Sequence, residues 1–186
     1  AQRKSEVIQA EWKEFDIKNK WWTIPAEKAK NKQMHRVPLS AIAIEILDEI
    51  RQITGDYDFV FASPAGATKK NPDKEVGKAP ILGSSVDHAL RDNLTDDPKT
   101  GRVNIFKLDH FTPHDLRRTA ASMMTRSGVQ RLTVKKILNH ADGEITAIYD
   151  RYGYDKEKQK AMGTWDRKLR SILSGEKAKI VSIKRS

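Results

Sequence analysis

Residues 111–154, FTPHDLRRTAASMMTRSGVQRLTVKKILNHADGEITAIYDRYGY, decide how this chain is read. Thr112-Pro113-His114-Asp115 is a strong helix start. Thr112 caps, Pro113 suits the first helical position, and Asp115 completes a T-x-x-D capping box. The box sets where the next side chains go. His114 and Arg117 fall three residues apart on one helical face, beside a helix N-terminus whose free N–H groups favour an anion. The spacing predicts a helix to about Ser127, stopped by Gly128. A second helix is predicted over 130–138, with Val134, Ile137 and Leu138 buried and His140 just past its end. Gly143 breaks the chain again, and 144–152 reads as a third, short helix carrying Tyr149.

Taken singly, each of these residues has an ordinary explanation. His114 and Arg117 suit an exposed polar helix start, His140 suits a helix C-terminus, and a lone tyrosine is usually half-buried core. Together, a tyrosine flanked by two histidines and an arginine points to covalent chemistry on a phosphate. A phenol of pKa about 10 is a poor nucleophile until its proton is removed and the phosphate is neutralised. Arginines clamp the non-bridging oxygens, histidines add hydrogen bonds and take the phenolic proton, and a lysine protonates the leaving 5′-oxygen.

Composition agrees with a polyanionic partner. Formal net charge is +10 over 186 residues, and each phosphate neutralised releases condensed counterions. Ten Lys/Arg against four Asp/Glu after Tyr154 place much of that surplus near the C-terminus. There is no cysteine, which excludes disulfides, thiolate zinc sites and cysteine nucleophiles. His110 and His114 have H-x3-H spacing, but Pro113 and the capping box break the helix between them; no metal site and no cofactor is expected. No apolar run suits a membrane span.

Before the central block, 3–12 reads as a helix with Val7, Ile8 and Trp12 on one stripe. Residues 13–39 read as strands around a lysine-rich hairpin: 20–25 outward, a polar turn over 28–33, and 34–39 returning. Ser40 is placed to cap a helix to about Ile53, with Ile42, Ile46, Leu47, Ile50 and Ile53 as its buried stripe and Gly55 ending it. Residues 62–82 read as a long loop, 83–94 as a helix with Val86, Leu90 and Leu94 on one face, and 95–102 as a polar loop. A last amphipathic helix is predicted over 155–173, with Met162, Trp165, Leu169, Ile172 and Leu173 apolar.

With these residues in view, the chain resembles the catalytic domain of the tyrosine recombinases, specifically the phage-type integrases. In that family an arginine opens a helix in a pattern like T-G-x-R-x-(S/G)-E. Gln2-Arg3-Lys4-Ser5-Glu6 matches it, with Ala1 in the glycine's place. The family lysine lies on a β-hairpin eight residues before the proline of a V-P-L strand, which from Pro38 gives Lys30, with Lys28 and Lys32 close by. The H-x-L-R box is His114-Asp115-Leu116-Arg117, and the usual L-G-H appears as Leu138-Asn139-His140, with Asn for Gly. The nucleophile nine residues beyond is Tyr149, with Tyr152 and Tyr154 as nearby competitors.

The resemblance implies a mixed, mainly helical catalytic domain with a small three-stranded antiparallel sheet, over residues 1–173, followed by a basic tail, 174–186. It implies catalytic roles for Arg3, Lys30, His114, Arg117, His140 and Tyr149, and a supporting role for Glu6. Lys28, Lys32, Arg118, Lys135 and Lys136 are expected to contact DNA. The chain opens without Met on an amphipathic segment, so it reads as N-terminally truncated, lacking an N-terminal DNA-clamping domain. The implied partners are double-stranded DNA attachment sites and three further copies in a tetrameric synapse, with helix 155–173 docking on a neighbouring protomer. The implied location is the cytoplasm of a bacterial host. The implied activity is site-specific recombination through a 3′-phosphotyrosine, without metal or ATP. Two other readings remain. One is a non-catalytic DNA-binding module using 113–138 as a helix-turn-helix imitation. The other is a topoisomerase IB-like relaxing enzyme with the same chemistry.

Overall fold

The structure, a computed structural model, describes residues 1–65, 75–140 and 152–175. Its elements are mainly helical with one small sheet. They run α1 (Lys4–Ile8), a 3-10 turn (Trp12–Glu14), β1 (Phe15–Asp16), β2 (Trp21–Ile24), β3 (His35–Pro38), α2 (Ala41–Thr54), α3 (Gly83–Leu94), α4 (Pro113–Arg126), α5 (Arg131–Ile137) and α6 (Asp155–Leu173). The sheet order is β1-β2-β3, antiparallel throughout. Trp22 pairs Val37 and Ile24 pairs His35. Pro38 sits on the edge strand, where its missing N–H costs no ladder bond.

Two apolar clusters divide the packing. Trp22, Ile24, Val37, Leu47 and Val60 form one around the sheet. Met124, Val134, Ile137, Ala161 and Met162 form the other, between α4, α5 and α6. Polar links stitch the two halves together. The Asp166 carboxylate accepts from the Ile42 backbone N–H (2.9 Å) at the start of α2 and from Arg170 Nε (3.1 Å). The Lys158 ammonium, on a buried side chain, donates to the Arg36 carbonyl (3.1 Å) and pairs with Asp155 (3.0 Å). Because Asp166 helps cap α2 from across the chain, Asp166→Ala is expected to cost about 1–2 kcal/mol, read as a lowered urea midpoint with unchanged slope.

Most local predictions hold to within a residue. Thr112 and Asp115 form the reciprocal capping box, and Pro113 opens α4. Gly128 ends it at φ +84°. Ser40 caps α2, accepting from the Ala43 N–H (3.4 Å).

Two predictions need correction. The helix predicted over 3–12 stops at Ile8, because Ala10 and Trp12 are taken by another pairing: Val60 N–H donates to the Ala10 carbonyl (3.0 Å) and Trp12 N–H to the Asp58 carbonyl (2.9 Å). On α2 only Leu47 is fully buried, while Ile46 and Ile53 are exposed; the rest of the chain covers one edge of the apolar stripe. Gly55 ends α2 as predicted, in right-handed helical backbone (φ −61°). The short helix predicted over 144–152 and part of the loop predicted over 62–82 fall on residues outside the described ones.

Candidate active site

The site is built on the C-terminal end of α5. A helix end leaves its last carbonyls without intrahelical partners and carries partial negative charge. Here three successive carbonyls are claimed by side chains from distant segments. Ile137 O accepts from Gln2 Nε2 (2.9 Å) and contacts the buried His35 Nε2 (3.0 Å). Leu138 O accepts from Arg117 Nη2 (2.5 Å). Asn139 O accepts from Arg3 Nη2 (3.4 Å). Two arginines more than a hundred residues apart in sequence thus converge on one helix end.

Each arginine is also held from a second side. Arg117 is buried and donates through Nη1 to the Ala1 carbonyl (2.7 Å). Arg3 caps α1, and the carboxylate of Glu6, 1% exposed, accepts from both the Arg3 backbone N–H (2.9 Å) and its Nη1 (2.8 Å). Four of the bonds that fix these guanidiniums go to neutral carbonyls or to a single carboxylate, so the cluster keeps a positive surplus. That surplus is felt locally. Burial, then the neighbouring Arg3, pushes Arg117 below the usual arginine range, with Glu6 opposing.

His140 enters directly from the α5 terminus. Its N–H donates to the Lys135 carbonyl (3.1 Å) and the Asn139 N–H to the Lys136 carbonyl (3.3 Å), with Asn139 left-handed at φ +51°. This is the Schellman arrangement, and it needs a residue that tolerates positive φ at Asn139's position. Partial burial, then Arg117, Arg3, Lys135 and His114, hold His140 below the ordinary histidine value. The imidazole is therefore neutral at pH 7 and able to accept a proton. His114 is exposed on the first turn of α4.

The three hairpin lysines separate clearly. Lys28 is tied down: its ammonium donates to the Gln9 carbonyl (2.7 Å) and pairs with Glu11 (2.6 Å) and the buried Glu14. Lys30 and Lys32 are exposed, Lys32 in left-handed backbone at φ +56°. Arg118 is exposed and pairs with Asp115 (3.5 Å). Lys136 lies 5.0 Å from the centre of the Tyr154 ring, and Lys135 is half-buried.

Tyr149 lies outside the described residues. Of its sequence competitors, the Tyr152 hydroxyl donates to Glu157 Oε1 (3.2 Å), and slight desolvation with Glu157 raises its pKa. Tyr154 packs edge-on to Tyr152 at 4.9 Å. Among the described residues no group of three or more His, Asp and Glu is placed to hold a metal ion, and no helix is long and apolar enough to cross a membrane.

Sequence reasoning missed Gln2, His35 and Asn31 as parts of this framework. His35 and Gln2 bind a carbonyl more than a hundred positions away, and no local pattern signals such a contact. Asn31 carried one hint, its place beside Lys30 in the hairpin turn. His35 is kept neutral mainly by burial, which lowers its pKa. Its stabilising contribution is therefore complete above the ordinary histidine value of 6.5 and is lost as pH falls through its lowered folded value.

A family model described as the phage integrase family matches residues 1–155. The prophage integrase IntA of Escherichia coli K12 is 25% identical over 174 residues, covering 93% of this chain and 37% of its own length. The integrase of Shigella phage Sf6 is 26% identical over 89% of this chain and 38% of its own. The tyrosine recombinase XerC of Chlamydia pneumoniae is 22% identical over 84% of this chain and 45% of its own. The chain thus spans well under half the length of these relatives. No solved structure gives a significant match. The arginine-opened helix, the H-x-L-R box and the histidine at the α5 terminus all lie inside the matched region, and the chain belongs to the phage integrase family.

Proposed function

We propose that residues 1–173 are the catalytic domain of a site-specific DNA recombinase that cleaves and rejoins strands through a 3′-phosphotyrosine. The observation that carries this is the convergence of Arg3 and Arg117 on the α5 terminus beside His140. That cluster is a preorganised receptor for one phosphodiester, with donors aimed where negative charge grows in the transition state. The Tyr149 oxygen forms a bond to phosphorus, and its proton passes to the neutral His140 imidazole, with His114 adding a hydrogen bond to the phosphate. The P–O5′ bond breaks, and the leaving 5′-oxygen takes a proton from Lys30. A 5′-hydroxyl from a partner strand reverses the step and completes the exchange. Because phosphotyrosine conserves the energy of the diester, no nucleotide is consumed.

Several findings support the finer assignments. Lys30 is preferred to Lys28, whose ammonium is already engaged by two carboxylates. Tyr149 is preferred on spacing, and Tyr152 and Tyr154 have other partners. Lys32, Arg118, Lys135 and Lys136 add phosphate contacts. The partners are double-stranded attachment sites and further copies of the protein in a tetrameric synapse. The apolar face of α6, Ala161 and Met162, is occupied within its own chain by Met124, Val134 and Ile137. Docking of this helix on a neighbouring protomer would therefore use the exposed Ile172 and Leu173 at its end. The alternative of a non-catalytic module using 113–138 explains the charge but gives the Arg3–Glu6 pair and Tyr149 no task.

The test uses full-length protein and nicked duplexes built on the sequence that it selects from a randomised DNA pool. Nicking lets the short fragment that bears the new 5′-hydroxyl diffuse away and traps the covalent adduct. Wild type is expected to form an adduct that survives denaturation, and Tyr149→Phe to form none. Binding without an adduct would favour the non-catalytic module.

A pH profile follows from the site's charge. At DNA concentrations far below saturation, the rate reports groups of the free protein. His140 must be unprotonated to take the phenolic proton, and its pKa is lowered. The acid limb is therefore expected below pH 6.5, the ordinary histidine value. At saturating DNA the bound phosphate offsets Arg3 and Arg117, so the limb should move to higher pH.

A further inference from the structure

Asn139 does more than turn the chain. Its backbone closes the α5 Schellman motif and its carbonyl receives Arg3. Its side chain makes a reciprocal amide pair with Asn31 in the lysine hairpin: Asn31 Nδ2 donates to Asn139 Oδ1 (2.8 Å), and Asn139 Nδ2 to Asn31 Oδ1 (3.2 Å). A glycine would satisfy the left-handed backbone at this position at least as well, so the turn alone does not call for Asn. The side-chain amide has a separate task.

That task is visible in how the hairpin is held. On one side of Lys30, Ala29 is buried at 1% exposure, and Lys28 is anchored to Gln9, Glu11 and Glu14. On the other side, residues 31–34 carry few ties. Asn31 Oδ1 accepts from the Gln33 N–H (3.3 Å), which shapes the turn internally, and the Lys32 N–H bonds back to Ala29. The Asn31–Asn139 pair joins the turn itself to the α5 terminus; the next tie on this side is His35 Nε2 on the Ile137 carbonyl (3.0 Å), four residues further along. Lys30 itself is exposed on a flexible four-carbon stem.

We propose that Asn31 and Asn139 are a positioning pair, locking the Lys30 hairpin onto the turn that presents His140 and receives Arg3. The proposal rests on reading Lys30 as the donor that protonates the leaving 5′-oxygen. A proton donor must lie within hydrogen-bond reach of its acceptor, and a displacement of about 1 Å can cost about 100-fold in rate. One amide pair thereby fixes the donor, the second histidine and the first arginine in a common frame.

The experiment compares two leaving groups on the selected nicked duplex with full-length protein. In the first, the scissile bond is P–O5′, and the alkoxide must be protonated as it departs. In the second, sulfur bridges at the 5′ position; the P–S bond breaks with its electron pair on sulfur, and the thiolate leaves without a proton. Asn31→Ala and Asn139→Gly are each expected to slow adduct formation on the oxygen substrate by about 10- to 100-fold. Both should stay within about twofold of wild type on the sulfur substrate. Lys30→Ala should show the same selectivity, and the Asn31→Ala/Asn139→Gly double variant should be no slower than the worse single. Wild-type rates in both variants on oxygen would overturn the proposal. So would an equal loss on both substrates, which marks a merely structural role and would be accompanied by a lowered melting temperature. If wild type forms an adduct on neither substrate, the recombinase reading itself falls, an outcome distinct from variants that simply lack selectivity.

Discussion

Arg117→Ala in the full-length protein is expected to lower covalent-adduct formation about 1000-fold. The guanidinium is buried, and its plane is fixed by bonds to the Leu138 and Ala1 carbonyls. Its charge is felt by His140, whose pKa it helps to lower, and it feels that of Arg3 in turn. Donors so preorganised stabilise the transition state without reorganising at the moment of reaction. Arg117→Lys should recover only a small part of the rate, because an ammonium restores the charge and loses the planar fork. DNA affinity should fall little, and the slope of log K against log salt should change by about one phosphate contact at most. The vacated Leu138 carbonyl costs about 1–3 kcal/mol, so a melting curve belongs beside the kinetics. Retained cleavage would remove Arg117 from the site.

Glu6→Ala is expected to damage stability and activity together. The carboxylate is almost fully buried and holds both the backbone and the guanidinium of Arg3. Removing it leaves Arg3 and Arg117 without the carboxylate that opposes their mutual repulsion. Breaking a buried ion pair costs about 3–5 kcal/mol; the Arg3 side chain is 25% exposed, so the lower end, about 3 kcal/mol, is expected after solvent screening. The measurement is the urea midpoint. Cleavage should fall about 100-fold as Arg3 loses its orientation. Glu6→Gln keeps acceptor geometry without charge and should lie between the two. An unchanged midpoint in Glu6→Ala would show that the pair holds nothing together.

What could be read in advance divides along physical lines. The ends of α4 obey local rules of capping and glycine placement, and the spans of α3 and α6, which carry no side-chain N-cap, follow their apolar period almost to the residue. The extent of α1 does not, because Ala10 and Trp12 trade helical bonds for a pairing with residues near Val60. Burial on α2 does not either: Ile46 and Ile53 have the right period, but none of the described residues covers them. In the site, Arg3, Glu6, Arg117 and His140 were nameable from motif order. Their common anchor was not, since it consists of backbone carbonyls at the end of α5, which carry no side-chain signature. The anchoring of Lys28 was equally hidden, because it depends on Glu11 and Glu14 folding beneath the hairpin. Asn139 could be seen as a departure from the usual glycine, while its partner Asn31 lies 108 residues away.

In the proposed reaction one particular tyrosine becomes covalently attached to DNA. The direct measurement is to trap the adduct on the selected nicked duplex, digest with nuclease and protease, and map the nucleotide-bearing peptide by mass spectrometry. A 3′-linked nucleotide on Tyr149, with a free 5′-hydroxyl on the released strand, is the predicted result. A nucleotide on Tyr152 or Tyr154, a 5′ linkage, or no adduct from protein that binds the same duplex would contradict it.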